Sequence, residues 1–302
     1  MLVCAALAAQ PVVSLGALNI FACEPEWGAL AKELGGDKVS VYTAVGALQD
    51  PHHIEARPSL IARARSADLV VCTGAELEAG WLPLVRTQSG NAKIQAGQAG
   101  DFEATRFVAT LEVPQKLDRA QGDIHAAGNP HIHLDPRNIA KVAAALAQRM
   151  AQLDGAQAEG YRSRSQAFLE RWQQAMTRWE KQAASLKGVP VVVHHKDLSY
   201  LLHWLGMREA GTLEPKPGLP PTTAHLSDLL ARLVQEPAAV IIRSAYSDPR
   251  ASAWLSERAM IPAVMLPFTV GGSDQAQDLF GLFDDTLARL LAITGAAAKR
   301  TP

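Results

Sequence analysis

The sequence predicts an α/β fold of two lobes, each a parallel-sheet α/β sandwich, joined by one long rigid interdomain helix. Three observations predict it. Short apolar, β-branched runs alternate with helical stretches at close spacing in both halves, the pattern of parallel βαβ units. Between the halves, 156–186 reads as a single amphipathic helix. The 302 residues are long for one core and suit two of about 130–150 residues each. The expected division is 1–17, a signal remnant; 18–155, the first lobe; 156–187, the linking helix; and 188–302, the second lobe.

Met1–Ala17 is uncharged, rich in Ala, Leu and Val, and offers small-residue cleavage positions around Ala6–Ala9 or at Ala17. It has the apolar part of a secretory signal without a basic leader. The alternative is a hydrophobic lead-in to the first strand. Cys4 would be lost with a signal, and no lipobox is visible. Elsewhere no apolar run approaches the roughly 20 residues of a membrane span. A net charge of −1 gives no nucleic-acid footprint. These features describe a soluble globular protein.

Leu18–Ala22 (LNIFA) reads as a short buried strand, and a helix follows Glu24–Trp27 to about Leu34. Lys38–Ala44 is a second β-branched run. Pro58–Ala67 is a short helix whose boundary Pro58 or Ser59 sets, and Asp68–Val71 is the next strand. Cys23 and Cys72 each follow a strand. Ends of neighbouring parallel strands can approach closely enough for a disulfide; two buried free thiols are the alternative. Gly90–Pro114 is weakly patterned, with a short strand expected at Arg106–Thr110. Asn138–Leu153 has helical spacing and strong helix formers.

In the joining helix, Tyr161, Phe168, Trp172, Met176 and Trp179 recur at steps of three, four or seven, with polar residues on the other face. The stripe reads as core packing. Thirty-one residues would span roughly 45 Å, enough to run from one lobe to the other. Beyond Lys187–Gly188 come strand Val189–Val193 and helix Asp197–Leu205 with Gly206 as its cap. A Pro-rich crossing follows. Helix Ser227–Gln235, strand Ala239–Arg243, helix Pro249–Arg258, strand Ala263–Leu266, a Gly-Gly loop and helix Asp278–Ile293 complete the second lobe.

Seven of the nine histidines fall in three short segments: Asp50–Ser59 (DPHHIEARPS), Gly122–Asn138 (GDIHAAGNPHIHLDPRN) and Val191–Tyr200 (VVVHHKDLSY). Each lies at an element boundary, and in open α/β sheets ligands collect beyond the carboxyl ends of strands. Neutral imidazoles bind borderline transition metals, and three of them with one carboxylate or water suit tetrahedral zinc. Pro51 and Pro130 stiffen the approach to His52 and His131, and His195 follows a strand. His53 and His194 point elsewhere if the chain is extended, while His133 would share a face with His131. Without an HExxH or CxxC motif, helix-borne protease and finger sites are not indicated. His203 and His225 read as ordinary helix residues. Glu24 and Glu214 read as loop caps or partners of Arg and Lys.

The segments DPHHIEARPS, NPHIHLDPRN and VVVHHKDLSYLLHWLG resemble, in order and spacing, the three histidine segments of the zinc/manganese-binding solute receptors of ABC importers. The resemblance runs from about Leu18 to Leu291. It implies two lobes on one rigid helix, a periplasmic location and an ABC permease as partner. A periplasmic zinc chaperone is a secondary partner, and the receptor is expected to be monomeric, without nucleic acid. It carries metal-ligand roles to His52, His131 and His195. Manganese members commonly have a carboxylate at the third position, so His195 places the chain with the zinc branch. Zn2+ is then the transported ligand, with Mn2+ second.

Three positions depart from the family's pattern. Asn129 replaces an aspartate in NPH, and His133 stands where an aromatic is common. Thr269 occupies the place of the fourth-ligand aspartate. Asp274, five residues on, is taken as the substitute ligand, with water, His125, His133 or another carboxylate as alternatives. Asp123 and His125 form a minor recruiting pair or are plain loop residues. Two other classes remain as alternatives: a zinc hydrolase with Glu55, Asp197 or Glu214 as base, or a metal-dependent adhesin or zinc-handling protein. The expectation is a receptor, not an enzyme.

Overall fold

A computed structural model describes residues 16–116, 122–123 and 125–298. Nearly all of the apolar lead Met1–Ala17, including Cys4, lies outside the described residues. The first lobe holds β1 (Leu18–Ala22), α1 (Pro25–Gly35), β2 (Val39–Thr43), α2 (Pro58–Arg65), β3 (Leu69–Cys72), α3 (Leu82–Ser89) and β4 (Asp101–Glu103). Its four strands are parallel in the order β2-β1-β3-β4. After α4 (Pro136–Leu153) and α5 (Ala158–Gln182) come β5 (Pro190–Val193), α6 (Ser199–Leu205), β6 (Arg208–Thr212), α7 (Thr223–Gln235), β7 (Val240–Ser244), α8 (Pro249–Ala259), β8 (Ala263–Leu266) and α9 (Leu279–Ala298). The second sheet repeats the arrangement, parallel in the order β6-β5-β7-β8.

Parallel strands need apolar cover on both faces, and the burial follows that demand. One core cluster runs through the molecule from Ile20 and Val71, past Phe168, Trp172 and Trp179 of α5, to Val191, Val193 and Phe283. Separate clusters cover the outer faces, around Phe21 and Trp81 in the first lobe and around Val192 and Leu229 in the second. The aromatic stripe of α5 is core. Trp172 stacks on Phe168 with ring centres 5.2 Å apart, and its indole N–H donates to the Pro136 carbonyl at 2.8 Å. Trp179 Nε1 donates to Asp284 at 2.6 Å. The helical run extends from 155 to 186, with 3-10 turns at Gly155–Gln157 and Ala183–Leu186 flanking α5.

Two edge strands differ from expectation. Arg106–Thr110 is not a strand; residues 104–107 form a 3-10 turn, and the strand is Asp101–Glu103. Its first residue is a buried aspartate ion-paired to Arg86, so hydropathy conceals it. The polar run Arg208–Thr212 forms edge strand β6, where only one neighbour has to be satisfied. At the carboxyl ends of β1 and β3, Cys23 and Cys72 form a disulfide with Cα atoms 4.8 Å apart. No helix among the described residues is long and apolar enough to cross a membrane.

Candidate metal centre

The three histidine segments meet in the cleft between the sheets. His52 leaves the loop after β2. That loop is anchored where Trp81 Nε1 donates to the Pro51 carbonyl at 3.1 Å. Asp50 then takes the His52 backbone N–H at 3.0 Å and the ring Nδ1 at 2.7 Å. With Nδ1 so engaged, Nε2 is left as the available nitrogen; it is buried and has no hydrogen-bond partner.

His131 precedes α4 and is 1% exposed. Asn129 accepts its backbone N–H at 3.0 Å and donates to the Lys196 carbonyl across the cleft at 2.7 Å, so one amide side chain aligns His131 with the turn that carries His195. Tyr200 OH donates to the Asn129 carbonyl at 2.8 Å and accepts from Leu111 N at 2.8 Å. His195 follows β5, and its Nδ1 lies 2.7 Å from Glu214, which also accepts the Gly218 N–H at 2.9 Å.

Ring centres are 5.3 Å apart for His52–His131, 6.0 Å for His52–His195 and 5.9 Å for His131–His195. One ligand atom from each lies within 4.8 Å of the other two, a spacing that one ion can bridge. Among the described residues no carboxylate joins this group. The other such grouping, Cys23, Cys72 and Glu78, has its sulfurs in the disulfide, where they are not thiolate donors.

The electrostatics suit a cation. Burial, followed by the charges of His52 and His195, depresses the His131 pKa well below the imidazole norm and keeps that ring neutral. Burial opposes the His195 proton, but the Glu214 hydrogen bond and the Asp197 and Glu214 charges outweigh it and raise the pKa to about 9. Burial would raise the Asp50 carboxyl, and its bonds to His52 lower it instead. Asp50 and Glu214 thus supply two negative charges behind two imidazoles. Carboxylate–histidine pairs of this kind set tautomer and ring direction in metal sites.

The remaining candidates separate. His53 is exposed, and His194 lies 4.0 Å from Glu214. His125 reaches the rim with its ring 5.4 Å from His52, on a loop held by Ala126 N donating to Glu76 at 2.9 Å. Burial, then the His52 charge, depresses its pKa to about 4. His133 turns away from the cluster. Its Nε2 bonds the Phe268 carbonyl at 2.9 Å, and its Nδ1 lies 3.2 Å from Glu26, off the hydrogen-bond line. Thr269 donates to the same Glu26 carboxylate, so the position that resembles a fourth ligand is an interlobe contact.

Asp274 is not brought to the cluster. Gly271, at φ 86°, turns the loop, and Ser273 donates to Asp285 of α9 at 2.5 Å, which leaves Asp274 exposed. Of the two readings the sequence allowed for Glu214 and Glu24, the structure shows the loop cap: Glu214 accepts the Gly218 N–H and also serves His195, and buried Glu24 accepts from Thr73 N at 3.2 Å and Thr73 Oγ1 at 3.1 Å. The roles of Asp50 and Glu214 went unread in the sequence; the two-residue step from Asp50 to His52 was the one available signal.

The family model described as zinc-uptake complex component A, periplasmic (ZnuA), matches residues 20–292. The metal ABC transporter substrate-binding lipoprotein ScbA of Streptococcus cristatus is 26% identical over 155 residues, 51% of this chain and 47% of that protein. The zinc-binding lipoprotein AdcA of Streptococcus pneumoniae is 22% identical over 215 residues, 71% of this chain and 42% of its own length. The manganese ABC transporter substrate-binding lipoprotein scaA of Streptococcus gordonii is 25% identical over 155 residues, 51% of this chain and 47% of that protein. The match spans less than half the length of each of these relatives. A crystal structure of ZnuA shares the fold, with TM-score 0.72 at 17% identity, over 93% of this chain and 98% of that one.

Proposed function

The chain belongs to the periplasmic zinc-uptake component A family, and from that premise we propose that it captures zinc between its two lobes outside the cytoplasm and delivers it to an ABC permease. The observation that carries the reading is the convergence of His52, His131 and His195 on one point, with Asp50 and Glu214 behind two of them.

Three imidazoles and no carboxylate among the gathered donors favour zinc over manganese, which prefers oxygen ligands. The first lobe supplies His52 and His131, and the second supplies His195, so the ion joins the lobes. Hydrogen bonds from Asn129 to Lys196 and from Tyr200 to Asn129 already couple the two sides. With the shared core along α5, they favour capture by small loop movements. Ser244 Oγ and Tyr246 OH both donate to Asp197 Oδ2, and Glu214 is bonded to His195, so both carboxylates are engaged in holding the cleft. We take the receptor to act as a monomer.

The test is titration calorimetry of metal-freed protein with zinc and with manganese, beside a His52→Ala/His131→Ala/His195→Ala variant. The expected result is one zinc per chain, bound at least 100-fold more tightly than manganese and lost in the variant. Binding weaker than millimolar, or unchanged in the variant, overturns the reading.

A further inference from the structure

Glu112 holds a backbone conformation that a side chain disfavours, with φ 54° in the left-handed region. Only four non-glycine residues among those described have a positive φ. Such strain persists where the surroundings over-determine it, and it gathers at functional sites. At Glu112 the surroundings come from both lobes. Its Oε2 accepts from the Asn129 side-chain amide at 2.8 Å. Its Oε1 accepts from Lys196 Nζ at 3.4 Å and from Ser199 Oγ at 3.1 Å, a hydroxyl it shares with the Lys196 carbonyl. The preceding residue is fixed in the same way. Leu111 N donates to Tyr200 OH, and the Leu111 carbonyl accepts from Asn129 N, each at 2.8 Å.

The Lys196 ion pair is half-exposed and contributes little in water. The Asn129 contact differs. Asn129 is 8% exposed, and its amide has every group engaged: the oxygen takes the His131 N–H, and the nitrogen bonds the Lys196 carbonyl and Glu112. An amide donating to a carboxylate makes a charge-assisted bond, stronger than one between neutral groups. A carboxylate at 129 would meet Glu112 and the Lys196 carbonyl with oxygens alone, so the amide at 129 and the acid at 112 are matched. A cavity of about 270 Å3 reaches His131 and His195 past Glu112, Asn129 and Lys196. The tie therefore stands at the rim of an opening onto two of the three imidazoles.

We propose that Glu112 is a positioning residue: it holds the His131 and His195 sides of the cleft together and so sets how fast a bound ion leaves. Parting those two imidazoles requires Asn129 to leave Lys196, and Glu112 grips both residues. This deepens the receptor reading and rests on it.

The test is stopped-flow release of zinc from the loaded full chain into excess chromogenic chelator, beside thermal melting of the metal-free protein. Glu112→Ala should still bind one zinc and release it about tenfold faster. Glu112→Gln keeps an oxygen for the Asn129 amide and should stay within about threefold of the unaltered rate. Glu112→Gly removes the carboxylate and the backbone strain together. It should melt no lower than the alanine variant, yet release zinc as fast. A purely structural role would instead make release follow the melting temperature. Release at the unaltered rate in the alanine or the glycine variant overturns the proposal and leaves the receptor standing. A glutamine variant as fast as the alanine one overturns it equally. Failure of the unaltered protein to take up zinc overturns the receptor reading itself.

Discussion

His133 and Glu26 face each other at 3.2 Å in the buried seam between the lobes, each 1% exposed. Through the Phe268 carbonyl and the Thr269 hydroxyl they close a polar ring that ties α1 and the turn before α4 to the loop after β8. Phe268 also packs its ring edge-on to His131 at 5.5 Å, so the clasp backs one imidazole of the three-histidine group. Removing one member strands the others in a dry interface. His133→Ala should therefore cost about 2–3 kcal/mol in urea unfolding of metal-free protein and still bind one zinc. A loss of zinc affinity above 100-fold at unchanged stability would make His133 a ligand instead.

Asp50 and Glu214 should behave as orienting groups. Asp50→Asn and Glu214→Gln keep the shapes and remove the charges behind His52 and His195. Each is expected to weaken zinc about 10–100-fold in competition with a chromogenic chelator, while the stoichiometry stays at one. An unchanged affinity in both variants would refute the carboxylate–histidine arrangement.

His125 stands at the rim, outside the three-nitrogen group. His125→Ala is expected to change zinc affinity by less than about tenfold, a loss under about 1.4 kcal/mol. X-ray absorption of the loaded protein should count three imidazoles. Four would assign His125 to the shell.

The pH response of the metal-free protein should carry the mark of a second buried pair. Burial, then the charges of Glu78 and Glu26, raises the Glu24 pKa well above normal. Burial raises that of Glu78 to about 7, against the hydrogen bonds that lower it. A carboxyl whose pKa is raised on folding stabilises fully below the unfolded value near 4.5 and loses that contribution as pH rises through about 7. The depressed imidazoles of His131 and His125 push stability the other way below about pH 6.5, so the pair is read by difference against Glu78→Gln. Between pH 5 and pH 8 the unaltered protein should lose on the order of 2 kcal/mol in urea unfolding relative to that variant. Parallel pH profiles of the two proteins would refute the protonated pair.

The Cys23–Cys72 disulfide closes a loop with a sequence separation of 49. The chain-entropy estimate for such a loop is about 4 kcal/mol, and native bridges commonly contribute 2–4. Cys23→Ser/Cys72→Ser should lower the melting temperature by several degrees and retain one zinc, since neither sulfur lies in the histidine group. Equal melting of the variant and the oxidised protein would show the bridge to be idle.

Much of the architecture is local in origin and legible in the chain. Apolar runs bounded by glycine and proline mark the interior strands, and the three-four-seven spacing from Tyr161 to Trp179 marks the long helix. Pro51, Pro130 and the Val191–Val193 strand single out His52, His131 and His195, because each stiffens the backbone next to its histidine. The edge strands Asp101–Glu103 and Arg208–Thr212 escape that reading, since a strand with one neighbour needs little apolar signature.

What surrounds the three imidazoles depended on the tertiary structure. Sequence distance between Glu26 and Thr269, or between Asn129 and Lys196, says nothing of contact until two sheets pack along α5. Only then does His133 become a clasp, Glu214 a partner of His195, and Cys23 a partner of Cys72. Asp274 goes outward for the same reason: Gly271 and the Ser273–Asp285 bond set the course of its loop, and a residue's charge cannot choose its direction against the fold around it.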